Sequence, residues 1–338
     1  MVMKIEIKKL ENLLKSALRT KYDNNYIELM LPVIMFGELA GVKSHGIIRV
    51  CSTGESILSR DPKGRPQIIS RTKIAKLIDA KGNPGMLVGA IACNEVIKIA
   101  KKMGVGVVGT KGSTSSSGSL TYYLEKIAED DLIAMIMARA PSDVAPFGGL
   151  ERLLGTNPMS FGIPADTQPF IHDMATAAIS YGAVARAKGL GEELPEGVAI
   201  DVEGNITRDA EKALRGAFLT FDRSYKGFGL SMIVEILAGV LPGANFLDLE
   251  EGDGWGNLFI AFDPNILSDI MVFKEKVRKM VERVRNSRSK DGDKIRIPGE
   301  NKIILRDKAL EGGWVDVDEK ILDDIKKFDS NMEQHYLK

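Results

Sequence analysis

GVGVVGTKGSTSSSGS, residues 104–119, is the stretch that decides between two folds. Gly104, Gly106 and Gly109 spell G-x-G-x-x-G, the pattern of a dinucleotide-binding turn, and a serine-rich run follows at once. In a doubly wound α/β unit the first glycine follows a strand, and the third opens a helix whose N-terminus receives a pyrophosphate. Here the order is inverted. A helical pattern over residues 94–103 comes first, so Gly104 reads as its stop and VGVV as the strand. No clear ribose-binding acid stands at the end of a next parallel strand about twenty residues on. No Gly-Lys-Ser/Thr completes a phosphate loop either. The glycines therefore predict a helix-to-strand junction rather than a Rossmann cofactor site.

Composition narrows the function classes. The chain has 338 residues, long enough for a large core in two lobes, with 46 basic residues balanced by 46 acidic ones. No basic face points to nucleic acid. No apolar run approaches the roughly 18 residues of a membrane span. MVMKIEIKKLENLLKS mixes charge with apolar residues and is not read as a signal peptide. Cys51 and Cys93 have no metal-ligand spacing, and His45, His172 and His335 lie far apart, so no metal site is expected. A cytoplasmic protein is the expectation.

Along the chain, residues 5–20 carry one apolar helical face through Leu10, Leu13, Leu14, Ala17 and Leu18. A second helix is expected from Asn24 towards Leu39, kinked or split at Pro32, and KSHGIIRVCSTGESIL suggests another short one. From residue 68 to about 263 short β-rich runs dominate, interrupted by IACNEVIKIAKKM and KGFGLSMIVEILAGVL. An amphipathic helix follows, with Phe273, Val277, Met280, Val281 and Val284 on a stripe expected to pack in the core. IRIPGENKIILRD and DVDEKILDDIKKF suggest a turn, an extended piece and a last helix. The fold class is α+β: a central sheet domain over 68–264, and a helical lobe built from both ends, 1–67 and 265–338.

Chemistry gathers in Lys43-Ser44-His45-Gly46-Ile47-Ile48-Arg49. On one helix His45 and Arg49 would be i and i+4, a proton-transfer group beside a guanidinium fork. A 2-hydroxy or 2-oxo acid needs that pair: arginine for the carboxylate, histidine for the neighbouring oxygen. A surface histidine beside a solvated arginine fits the spacing too.

GELAGVKSHGIIRV resembles the active-site segment of the malate/L-lactate dehydrogenase family, the type-2 family unrelated to the Rossmann enzymes. Other segments resemble it in the same order: VAPFGGLERLLGTNPMSFGIP, HDMATAAISYG, LPEGVAIDVEGNITRD, YKGFGLSMIVEILAGVLPG, GNLFIAFDP and IPGE. The resemblance covers nearly the whole chain. It implies an NAD- or NADP-dependent oxidoreductase of small 2-hydroxy or 2-oxo acids or, in one branch, of cyclic imino acids. It also implies a homodimer, with the cofactor on a mostly antiparallel, non-Rossmann sheet. By resemblance His45 exchanges the proton, Ser44 assists, Arg49 grips the substrate carboxylate and Asp173 supports the histidine. The same resemblance lays the cofactor against Gly155, Thr156, Asn157, Pro158, Thr176, Lys226 and Gly227.

The pattern breaks in three places. Many members carry Asn-His-Phe-Gly where this chain reads Ser115-Ser116-Ser117-Gly118, so the pocket histidine is absent. Arg139 and Ala140 stand where an Asn-Ser pair is common, and Tyr225 replaces a histidine before Lys226. The serine run, Ser116 at its centre, is expected to touch the distal part of the substrate or the cofactor phosphates. A reductase of cyclic ketimines is the rival reading, and a binding protein that kept the fold but lost catalysis is another.

Overall fold

The computed structural model describes residues 2–328 except 54, 248, 250–253 and 291; His335 lies outside the described residues. The chain opens with β1 (Val2–Glu6), α1 (Ile7–Arg19) and α2 (Asn24–Leu39). Asp23 caps α2 by accepting from the Tyr26 N–H at 3.0 Å, and Pro32 is carried inside the helix without breaking it. A 3-10 turn, Lys43–His45, and the short α3 (Ile48–Cys51) follow. The single helix expected here is thus two turns separated at Gly46, whose backbone is extended (ψ −140°).

The central segment supplies β2 (Gln67–Ser70), β3 (Ala75–Asp79), α4 (Gly85–Met103), β4 (Val105–Ser113), α5 (Leu120–Glu129), β5 (Ile133–Arg139), β6 (Met159–Ile163) and β7 (Phe170–Met174). Then come α6 (Tyr181–Leu190), β8 (Ala199–Ile200), α7 (Ala210–Arg215), β9 (Ala217–Phe218), α8 (Tyr225–Val234), which runs into a π-helical turn Glu235–Val240, and β10 (Trp255–Phe262). The chain closes with α9 (Ile270–Arg285), α10 (Glu300–Gly312), β11 (Trp314–Asp318) and α11 (Glu319–Lys326). Seven strands form one sheet in the order β2-β3-β4-β10-β5-β6-β7. Only β3 and β4 are parallel; the other neighbours pair antiparallel, as expected for the non-Rossmann sheet.

Each glycine of the opening motif has a packing reason. Gly104 ends α4 in the left-handed region (φ +83°). A Cβ on Gly106 would lie 2.7 Å from the Val96 carbonyl of α4, and one on Gly109 would lie 3.0 Å from Pro242. The parallel unit β3–α4–β4 does have a strand-to-helix turn, but it is Gly82-Asn83-Pro84-Gly85, and the serine run fills it. Gly85 N–H donates to Ser115 Oγ at 3.2 Å, and a Cβ there would overlap the Ser115 carbonyl. The α4 N-terminus is closed to a phosphate by the chain itself.

One apolar core joins both chain ends to the sheet: Leu14 and Ile34 meet Val96 and Phe259, and Val317 and Ile325 complete it. A smaller core around Val144, Val184 and Phe218 lies beneath α6 and α7. Two local expectations fail. ENKIILRD is the start of α10, not an extended piece: Ile303 is buried while Ile304 and Leu305 face out, a one-sided helical pattern hidden by consecutive apolar residues. On α9 only Val277 is buried, and Met280 and Val284 of the expected core stripe are exposed.

Candidate active site

The loop bearing His45 is pressed against α2. A Cβ on Gly37 would overlap the His45 carbonyl, and one on Gly46 would overlap the Glu38 carboxylate. Glu38 is buried, pairs with Lys43, and accepts from the Ile47 N–H at 3.1 Å. The two glycines allow the approach, and the buried carboxylate pins the turn between His45 and α3.

Ser44 Oγ and His45 Nδ1 share a 2.9 Å hydrogen bond. Arg49 Nε donates to the Ser44 carbonyl at 2.8 Å, and its Nη1 lies 3.9 Å from Glu55. Serine, histidine and arginine are thus tied together by the loop, without the shared helix that the i, i+4 spacing suggested.

Asp173, on β7, comes from across the fold. Its Oδ1 accepts from Ser160 Oγ at 2.7 Å; its Oδ2 accepts from Thr121 Oγ1 at 2.7 Å and from Lys302 Nζ at 2.8 Å. Lys302 also donates to Thr121 Oγ1 at 3.0 Å. None of the described hydrogen bonds joins Asp173 to His45, so the carboxylate acts on the imidazole through space. Lys302 reaches the site because Gly299, at φ +88°, lets the IPGE turn lie against the Ile171 carbonyl of β7, where a Cβ would sit 2.5 Å away. The IPGE turn is legible in the sequence, but Lys302, two residues beyond it, carries no local signal of its place beside Asp173. Thr121 and Ser160 were missed as well, since nothing local marks either.

The charges set the histidine low. Burial, then the Arg49 guanidinium, pushes His45 down to about 4; Lys302 adds to this and Asp173 opposes it. Burial alone would raise the Asp173 carboxyl, but Lys302 and the hydrogen bonds from Lys302, Thr121 and Ser160 outweigh it and hold it below the ordinary carboxylate range. At neutral pH the arrangement is a neutral imidazole under the influence of the Arg49 guanidinium and of the Asp173–Lys302 ion pair. It can accept a proton from a hydroxyl whose neighbouring carboxylate rests on Arg49.

The residues expected around a cofactor divide into engaged and open groups. Asn157, at φ +38° and fully buried, donates from Nδ2 to Glu235 Oε2 at 2.8 Å and accepts from the Ala140 N–H at 3.2 Å. A Cβ on Gly155 would overlap the Ala140 carbonyl. Thr176 is buried and donates to the Asn157 carbonyl at 2.9 Å. These side chains build the Gly155-Thr156-Asn157-Pro158 turn, leaving Thr156 and Pro158 partly exposed at its edge. At the start of α8 the Gly227 N–H already donates to Asp222 at 3.1 Å, so the anion-attracting element there is the exposed Lys226 ammonium rather than the helix end. Ser116 is buried, and its hydroxyl accepts from the Gly118 N–H at 3.2 Å within its own loop.

The malate/L-lactate dehydrogenase family matches residues 5–326. Among curated proteins, the L-sulfolactate dehydrogenase of Methanothermobacter thermautotrophicus is 34% identical over 90% of this chain and 91% of its own. The malate dehydrogenase of Pyrococcus horikoshii is 32% identical over 87% and 85%. Among solved structures, malate dehydrogenase from Entamoeba histolytica superposes with a TM-score of 0.89 at 25% identity, covering 98% of this chain and 99% of that one. With the sheet, the histidine loop and the order of segments all in agreement, the chain belongs to the malate/L-lactate dehydrogenase family.

Proposed function

We propose that this chain is an NAD(P)-dependent dehydrogenase of small 2-hydroxy acids, in which His45 exchanges the hydroxyl proton, Arg49 holds the C1 carboxylate, and Asp173 with Lys302 sets the charge around the imidazole. The observation that carries it is the convergence of His45, Asp173 and Lys302 from three distant segments, the last two ion-paired at 2.8 Å. The nicotinamide cofactor, when bound, supplies or accepts the hydride. Lys226 and the Thr156 hydroxyl are the groups left open to hold its phosphates.

The electrostatics also suit the proton's direction of travel. His45 in the free protein is neutral and ready to take a proton from a hydroxy acid. A substrate carboxylate on Arg49 cancels the cation that depresses the imidazole, so binding raises its basicity as the proton arrives.

A homodimer in the cytoplasm completes the reading. Ile233, Ile236 and Val240 lie exposed at i, i+3 and i+7 along α8 and its π turn, the spacing of one apolar face awaiting cover.

The test is nicotinamide absorbance in the presence of pyruvate, oxaloacetate and a cyclic imino acid. His45→Ala is expected to lower kcat roughly 10²–10⁴-fold with the oxo acids. Equal turnover by the variant would end the proposal, and turnover of the cyclic imino acid alone would move the chain to ketimine reduction.

A further inference from the structure

Among the described residues four buried side-chain polar atoms have no hydrogen-bond partner: Ser113 Oγ, Ser119 Oγ, Trp255 Nε1 and Asn257 Nδ2. Folded chains seldom leave such atoms unpaired, because burial strips their water without replacement. All four belong to one region. Trp255 stands opposite Ser113 and Asn257 opposite Thr110 in the β10–β4 ladder, with a register shift between the two pairs. Ser117 Oγ donates to Asn257 Oδ1 at 2.9 Å and Thr110 Oγ1 to the same oxygen at 3.1 Å. Turning the amide over would pair the nitrogen and strand the oxygen, so one end goes unmatched in either orientation. Ser119, two residues past Ser117, caps α5 without using its hydroxyl. Thr121, two residues further, holds Asp173. The unpaired groups therefore run on from the acid–base site, along the segment that replaces the family's pocket histidine.

Their chemistry is neutral. Serine and threonine hydroxyls and an amide can both donate and accept, and the indole adds one donor. The nearby cation on β5, Arg139, is engaged by Glu235 and by the Gly254 carbonyl. Lys302, which reaches the segment at Thr121, is likewise engaged by Asp173. Among the described residues a second anionic group on a substrate would therefore have to compete with Glu235 and Asp173 for these cations, whereas an uncharged hydrogen-bonding group would satisfy donors and acceptors together. We infer that this region is the subsite for the distal end of the substrate, and that it selects an uncharged carboxamide, ureido or hydroxyl group over a second carboxylate or sulfonate. The inference rests on the dehydrogenase reading above.

Two measurements test it. The first compares kcat/KM of the full chain, with its preferred nicotinamide cofactor, for 2-oxosuccinamate, oxaloacetate and pyruvate. The amide is expected to exceed oxaloacetate about tenfold, and Ser119→Ala and Trp255→Phe are each expected to cut the amide-to-pyruvate ratio about tenfold. The second follows Trp255 emission in a Trp314→Phe background, which leaves one tryptophan of the two. Adding 2-oxosuccinamate to the cofactor-loaded protein should change that emission, and pyruvate should change it much less. Preference for oxaloacetate over its amide would overturn the inference. So would variants that leave the ratio unchanged, the result if only buried water fills the region, or variants that weaken cofactor binding instead. The two readings separate: emission that responds to the amide without turnover keeps the subsite and sinks the dehydrogenase. Turnover of oxaloacetate with silent emission does the reverse.

Discussion

Two ion pairs rest on strands of the central sheet, Arg139 on β5 and Asp173 on β7, and they serve opposite purposes. Arg139 and Glu235 are closed: each side chain is 3% exposed, Glu235 also accepts from the Leu247 N–H at 3.0 Å, and Arg139 Nη1 donates to the Gly254 carbonyl at 2.6 Å. Through Asn157 the pair ties β5, the Gly155-Thr156-Asn157-Pro158 turn and the π turn after α8 into one unit. Lys302 and Asp173 are open by comparison, 30% and 13% exposed, and both act electrostatically on the His45 imidazole. A sealed pair fixes backbone segments relative to one another. An open pair leaves a field acting on its neighbour, which is what proton transfer uses.

The comparison breaks most sharply at Arg139. Arg139→Met leaves Glu235 buried without its cation and should destabilise the fold by about 3–5 kcal/mol in a denaturant titration. Arg139→Met combined with Glu235→Leu should recover most of that loss, since replacing a whole buried pair by apolar groups is often neutral. If the single variant unfolds at the wild-type midpoint, the pair is not the clamp described.

Lys302→Met should behave differently. Its pair is partly solvated, so stability should fall by no more than about 1 kcal/mol. The pH profile should move instead. In the free wild-type protein, kcat/KM for hydroxy-acid oxidation should hold down to the imidazole's value of about 4 and fall below it. Lys302 lowers His45 directly and also screens Asp173, which raises it; removing the lysine acts upward on both counts, so the acid limb should shift to higher pH. An unmoved limb would reduce Lys302 to a packing role.

The smallest effect is expected at Lys226, an exposed charge. Lys226→Met should weaken cofactor binding by about threefold at low salt and less at high salt, because solvent screens such contacts. A Kd independent of both mutation and salt would remove Lys226 from the phosphate site.

These residues also show where sequence reading succeeds and stops. The helix stop at Gly104 and the strand after it were legible because a left-handed glycine and a change of period are local signals. The mostly antiparallel sheet was implied by resemblance alone, whereas the roles expected of His45 and Arg49 drew on their own chemistry as well; the spacing of the pair suggested a helix that Gly46 interrupts. Glu38, which pins that interruption, acts through tertiary contact and leaves no periodic trace. Lys302 was hidden for the same reason: only the packing of Gly299 on β7 makes it a neighbour of Asp173. The serine run was expected at a ligand; that Ser115 also fills the turn before α4 is a tertiary contact with no local signal.

The outermost strand pair has a consequence for the order of events during synthesis. β1 and β11 join antiparallel, with Val2 opposite Asp318 and Glu6 opposite Trp314. β1 must therefore wait, edge unpaired, until every other described strand has been made. α10 lies directly before β11, so Lys302 arrives in that same final act. His45 is made early and gains its full electrostatic setting only when the chain closes on itself; a nascent or truncated product would carry the histidine without that setting.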